Sequence, residues 1–185
     1  MKGLKGILKG TIFALIFLLM VPQVSLGYSG EEEENVELGE SVKVEGQLSE
    51  PEFTTMAAHT AVTTLSGPTT VKKFVRYLTG SWAKASSYTW SKSQSASSTI
   101  SSNVGVTAKG ISNSLGVSNS VTTTYSVAIT IPASNSKYSK LAFYSDYNKR
   151  YVRVRLYNTQ GLLYSDKKTY HYAPRKDTYL QVVYQ

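Results

Sequence analysis

Chemistry at a side chain needs a nucleophile, an acid or base, or a metal ligand. Downstream of residue 52 the groups that could move a proton near neutrality are Asp146, Asp166, Asp177, His59 and His171. General acid–base catalysis needs such groups within hydrogen-bond reach of one another. His171 stands between Tyr170 and Tyr172 in a segment that reads as a strand, where a lone imidazole is more often structural than catalytic. Serines abound, but none lies in a G-x-S-x-G elbow. No phosphate-binding glycine loop or histidine-rich metal spacing occurs. The chain has no cysteine, which excludes thiolate metal sites and thiol catalysis. The residues therefore point to no catalytic set, no metal and no cofactor: a non-enzymatic protein with no small-molecule substrate.

A second chemistry is cationic. Lys149, Arg150, Arg153 and Arg155 interleave with tyrosines in "NKRYVRVRLY", and Lys167 and Lys168 follow. Basic groups neutralise phosphates and aromatic faces stack on bases, so nucleic acid is one conceivable partner. The N-terminus argues for a different one. Three lysines in "MKGLKGILKG" precede the apolar run "TIFALIFLLM", and Ser25 and Gly27 have the small-residue spacing of a signal-peptidase site. The run is shorter than the roughly 20 residues of a membrane span. A secreted, extracellular protein with no named nucleic-acid motif fits anionic lipid or an anionic envelope polymer better than nucleic acid. The same residues could equally dress the solvent face of a sheet.

The third chemistry is that of hydroxyls. "YTWSKSQSASSTISS" (residues 88–102) holds nine serines and threonines and no carboxylate. From Thr89 to Asn103 the odd positions are small and polar, while the even ones include Tyr88, Trp90, Ile100, Val104 and Val106. After Lys109-Gly110 the parity inverts: Ile111, Leu115, Val117, Val121, Tyr125, Val127 and Ile129 now occupy odd positions. Such alternation marks strands with two unlike faces. In an antiparallel hairpin centred on Lys109-Gly110, residue i faces residue 219 − i, so Val104 faces Leu115 and Trp90 faces Ile129. Both apolar sets then share one face and both hydroxyl sets the other. Lys-Gly is a poor two-residue turn, and a longer tip or a short helix would serve as well.

An uncharged amphipathic hairpin with arms of about twenty residues is long enough to cross a bilayer as part of a closed barrel. The segment resembles the insertion region of aerolysin-like β-pore-forming toxins, with Ser/Thr-rich strands flanking the tip and the second running into "YSVAITIPAS". That resemblance implies a secreted monomer that self-oligomerises on a target membrane and donates one hairpin per subunit. Lys92, Gln94, Ser98 and Ser102 depart from it, because they sit on the face that would meet lipid.

These groups need a frame. Residues 28–52 carry nine glutamates against one lysine, a net charge of −8, and residues 53–185 carry +13. We expect a signal peptide over 1–27, an acidic, disordered leader or pro-segment over 28–57, and a basic domain over 58–185. An acidic pro-segment would cover the basic domain by Coulomb attraction until removed. "VKKFVRYLTGSW" could be strand or short helix, with Gly67-Pro68 as a breaker before it. After Pro132, four strands are expected with turns at "NTQG" and "SDKK". The fold class is all-β: an elongated antiparallel sheet or a β-sandwich with one long Ser/Thr-rich amphipathic hairpin. The function expected is toxin-like or antimicrobial action on anionic membranes or envelopes. The alternative is docking on an anionic cell-surface polymer.

Overall fold

The structure is a computed structural model that describes residues 37–51 and 59–185. The expected signal peptide, and the leader at residues 28–36 and 52–57, lie outside the described residues. What is described is all-β with one short helix.

Three long strands make the frame: β3 (Thr60–Tyr77), β9 (Ser139–Tyr157) and β10 (Leu163–Tyr184), with β1 (Glu37–Glu45) beside them. Their order is β1-β10-β9-β3, and every neighbouring pair is antiparallel. Alternating β-branched and aromatic residues favour this state. In β9, Val152, Val154 and Leu156 are buried while Tyr151, Arg153 and Arg155 are half-exposed on the other face. The turn between β9 and β10 falls at "NTQG", where Asn158 Oδ1 accepts from the backbone of Gln160 and Leu162 and Gly161 takes a φ of 76°. Only a glycine adopts such a φ freely.

Three expectations are corrected here, and one open choice is decided. "SDKK" is no turn: it lies inside β10, opposite Arg153–Leu156, where Asp166 binds Arg153 across the strands. The segments on either side of it, and those on either side of Asn148, therefore form single strands. Gly67-Pro68 does not break β3: one bulge precedes it, a second spans it, and β9 continues to pair beyond. "VKKFVRY" is strand, not helix. Part of the acidic leader is also folded. β1 pairs with β10 from Ser41↔Gln181 to Glu45↔Asp177, and β2 (Gln47–Leu48) joins a second sheet. Val42 and Val44 pack on the core, and Lys43 binds Asp177 at 3.0 Å. Burial of those valines outweighs the self-repulsion of the acids around them.

Most of the chain between β3 and β9 packs against this sheet as a second layer, and one short segment of it joins the sheet's edge beside β10. This stretch contains β4 (Ser87–Trp90), β5 (Gln94–Ser97), β6 (Thr99–Ile100), α1 (Ala108–Ser114), β7 (Ser120–Thr123) and β8 (Ile129–Pro132). One core cluster joins Ala96, Val121, Tyr125 and Ile131 of this layer to Leu141, Phe143, Leu180 and Val182 of the main sheet. A second joins Val104 and Ile111 to Val152, Val154 and Leu156.

Candidate functional site

The candidate site is the Ser/Thr ribbon, residues 87–132. β4 pairs with β8 in the register 219 − i, so Trp90 lies opposite Ile129 and Tyr88 opposite Ile131. Between β5 and β7 the register has slipped by two residues, as in Gln94↔Thr123 and Ala96↔Val121. A slip of two keeps every side chain on its face. Apolar residues of both arms thus share the inner face, as the parity inversion requires. The outer face carries the hydroxyls, paired across the strands: Thr89 with Thr130 at 3.1 Å and Ser95 with Thr122 at 2.9 Å.

The tip departs from one long hairpin. Val104 and Leu115 do not pair. β6 leaves its partner arm and pairs with β10 at Ile100↔His171. The chain then turns into α1, whose N-cap Thr107 accepts from the Gly110 amide at 3.1 Å. A hydroxyl at that position satisfies an otherwise unbonded helix amide. Ile111 is fully buried by this helix, and Val106 and Leu115 pack beside it. Val117 is half-buried beyond α1, and Val127 stands out at 74% exposure, off the apolar face. The other insertion candidates, Tyr88, Trp90, Ile100, Val104, Val121, Tyr125 and Ile129, all face protein.

Many polar bonds hold this layer down, among them those of Ser101 and Ser102 to Thr169 and of Ser49 to Asn119 and Ser120. Tyr88 donates its hydroxyl proton to the Ser139 carbonyl at 2.8 Å. The Thr123 and Thr178 hydroxyls meet at 2.7 Å, and Thr178 also reaches the Val44 carbonyl. Arg76 donates to the Ser95 carbonyl at 3.0 Å. At the tip, Ser112 Oγ meets His171 Nε2 at 3.0 Å, and neither residue is exposed. Burial lowers the His171 pKa to about 4, and the Arg150 charge pushes the same way. The nearby Ala108 backbone opposes the shift without a full hydrogen bond to Nδ1. His171 is therefore a neutral imidazole that anchors α1, and this Ser–His pair is sealed from solvent, with no carboxylate orienting the ring among the described residues. No signal short of the tertiary contact could have joined Ser112 to His171.

The expected basic cluster is divided. Lys149, Arg153 and Arg155 share one face of β9, while Arg150 lies on the face of Val152 and Val154, opposite His171. Burial lowers the Arg150 pKa, and its Nη1 has no hydrogen-bond partner among the described residues. Arg153 and Arg155 both turn to Asp166, with Arg153 Nε at 2.7 Å. That pairing holds the Asp166 carboxyl below its ordinary range. Lys167 and Lys168 are exposed on β10.

Sequence reasoning missed a set of lysines lying over aromatic rings. Lys72 lies 4.3 Å from the Tyr179 ring and 5.2 Å from that of Tyr144. Lys140 covers Tyr77 and Trp82, and Lys149 lies 4.3 Å from Tyr170. The signal was present as lysine and tyrosine recurring on neighbouring strands, but it needed their register.

Among the described residues there is no cluster of histidine, cysteine or carboxylate side chains that could hold a metal, and no helix long and apolar enough to cross a membrane. Comparison with protein-family models, with curated proteins and with solved structures found no match to this chain.

Proposed function

We propose that this is a secreted, non-enzymatic, cationic β-protein that acts on anionic membranes or envelopes by releasing the 87–132 ribbon. The observation that carries the reading is the ribbon's division into two faces. Its apolar face, Val127 apart, packs on the protein itself, and its outer face is uncharged hydroxyl. Lipid could take the place of the sheet against the apolar face without any carboxylate being desolvated. The freed arms would need partners for their backbone groups, which neighbouring copies can supply by closing a barrel. The aerolysin-like resemblance belongs with this proposal. Basic residues would first concentrate the protein on anionic lipid, at about 1 kcal/mol for each one near the surface.

The lysine-on-aromatic rows favour a second reading, docking on an anionic surface polymer. Such contacts loosen in high salt, whereas an inserted ribbon stays with the lipid.

The test uses the absence of native cysteines. Thr123→Cys with Thr178→Cys replaces hydroxyls 2.7 Å apart and so can form a disulfide that clamps the ribbon to the main sheet. Dye release from anionic vesicles is measured with the chain from residue 28. We expect release by the wild type and the reduced variant and none by the oxidised variant. Release by the clamped form would remove the ribbon as the acting element. No release by folded wild-type protein would leave the polymer reading.

A further inference from the structure

The hairpin that joins β9 to β10 runs out beyond its neighbours. β3 first pairs with β9 at Thr60↔Leu156, and the Tyr157 amide donates to the His59 carbonyl at 2.9 Å. β10 begins at Leu163, opposite Tyr157. Among the described residues, no strand flanks the turn at residues 158–162.

The end of this turn is apolar and open to solvent. Leu162 is 63% exposed, Leu163 49% and Tyr164 64%. A run of three exposed, largely apolar residues is a defect unless it has a use. Leu38, Leu65 and Val127 are also exposed, but each stands singly in the sequence, as is ordinary on a surface. A bulge adds to the display. Leu163 pairs with Tyr157 and Ser165 with Leu156, so Tyr164 is an extra residue without a cross-strand partner. Bulges re-aim side chains in this way.

The backbone of the turn is already satisfied. Asn158 Oδ1 accepts from the amides of Gln160 and Leu162, both at 2.9 Å. The Asn158 carbonyl accepts from the Gly161 amide at 3.0 Å, and the Asn158 amide donates to the Leu162 carbonyl at 3.0 Å. Leaving water is costly for a polar group that has no partner. These amides keep their partners when the water goes.

Charge names the medium that the turn can enter. Residues 153–168 carry four basic side chains, Arg153, Arg155, Lys167 and Lys168, against one acid, Asp166. Asp166 is taken up by the two arginines, and both lysines stand exposed on β10. Lys167 is four residues from Leu163, about 13 Å along a strand. Apolar groups of surface-bound proteins sink about 5–10 Å into the boundary between headgroups and acyl chains. That depth brings a long lysine side chain to the lipid phosphates. Tyr164, with an apolar body and a polar end, suits the headgroup level.

We propose that the Leu162–Leu163–Tyr164 tip is an anchor that seats in the surface of an anionic bilayer, with Lys167 and Lys168 on its phosphates. It deepens the membrane reading and rests on that reading for its target, but none of its residues belongs to the ribbon.

The test uses two single-cysteine variants of the chain from residue 28, each carrying an environment-sensitive fluorophore. Leu162→Cys reports on the tip, and Tyr138→Cys reports on the other end of the hairpin, just before β9. With vesicles of phosphatidylglycerol and phosphatidylcholine, we expect a blue shift and quenching by nitroxide lipids at 162 and neither at 138. In vesicle co-sedimentation, Leu162→Ser with Leu163→Ser should lower partitioning roughly tenfold. Lys167→Gln with Lys168→Gln should lower it roughly tenfold and weaken its salt dependence. Both double variants should keep the wild-type urea midpoint, because the replaced side chains are exposed. No shift at 162 would overturn the anchor, and if the same vesicles leak, the ribbon reading stands. A shift at 162 on vesicles that do not leak would uphold the anchor while the ribbon reading fell. A shift at 162 without vesicles, with dimers on size-exclusion chromatography, would mean that the tip meets a second copy, and would overturn the proposal.

Discussion

At the scale of single residues, His171 is where the fold meets acidity. Its folded pKa of about 4 lies below the ordinary 6.5, because burial opposes charge and Arg150 is close by. The unfolded chain therefore takes up the proton first as pH falls. The stability this imidazole contributes is complete above pH 6.5, drains between 6.5 and about 4, and is flat below that. The loss amounts to at most about 3 kcal/mol. Ser112, at 3.0 Å, is the group on α1 that would lose its acceptor. Urea unfolding from pH 7.5 to 4 should show this decline in the wild type and a flatter profile in His171→Gln. Parallel profiles would mean that His171 does not titrate in that window.

At the scale of elements, the junction of β1 and β2 is packed tightly against the ribbon. A methyl on Gly46 would come within 2.5 Å of Val121 and 2.6 Å of Thr123. Gly46→Ala should therefore cost about 1–3 kcal/mol by overpacking, measured by urea unfolding, and should loosen β2 from β7. The ribbon's strands were legible because period two and its inversion at Lys109-Gly110 survive in local sequence, and β4–β8 adopts the register they imply. The tip was not, because Thr107 caps a helix and β10 takes Ile100 away from its expected partner. β1 left a faint trace, Val42 and Val44 two residues apart, which the surrounding glutamates obscured. The basic cluster is split because neighbours in sequence on a strand face opposite ways, and Arg150 follows Val152 and Val154 inward.

At the scale of the whole molecule, the acidic stretch contributes to packing as well as to charge. β1 supplies Val42 and Val44 to the core and shields one side of β10. A chain beginning at residue 53 should therefore melt at a lower temperature than one beginning at residue 28, and should self-associate on size-exclusion chromatography. An unchanged melting curve would mean the acidic segment is dispensable to folding. The hydroxyl face has a consequence of its own. From Thr89 to Ser97 and from Ser120 to Thr130, the alternate positions on that face hold no charged side chain. A hydroxyl can turn either its proton or its lone pairs outward, so a passage lined with such groups offers cations and anions similar terms. If the ribbon makes a conduit, its reversal potential in a potassium chloride gradient should lie close to zero, and molecular size should govern what passes.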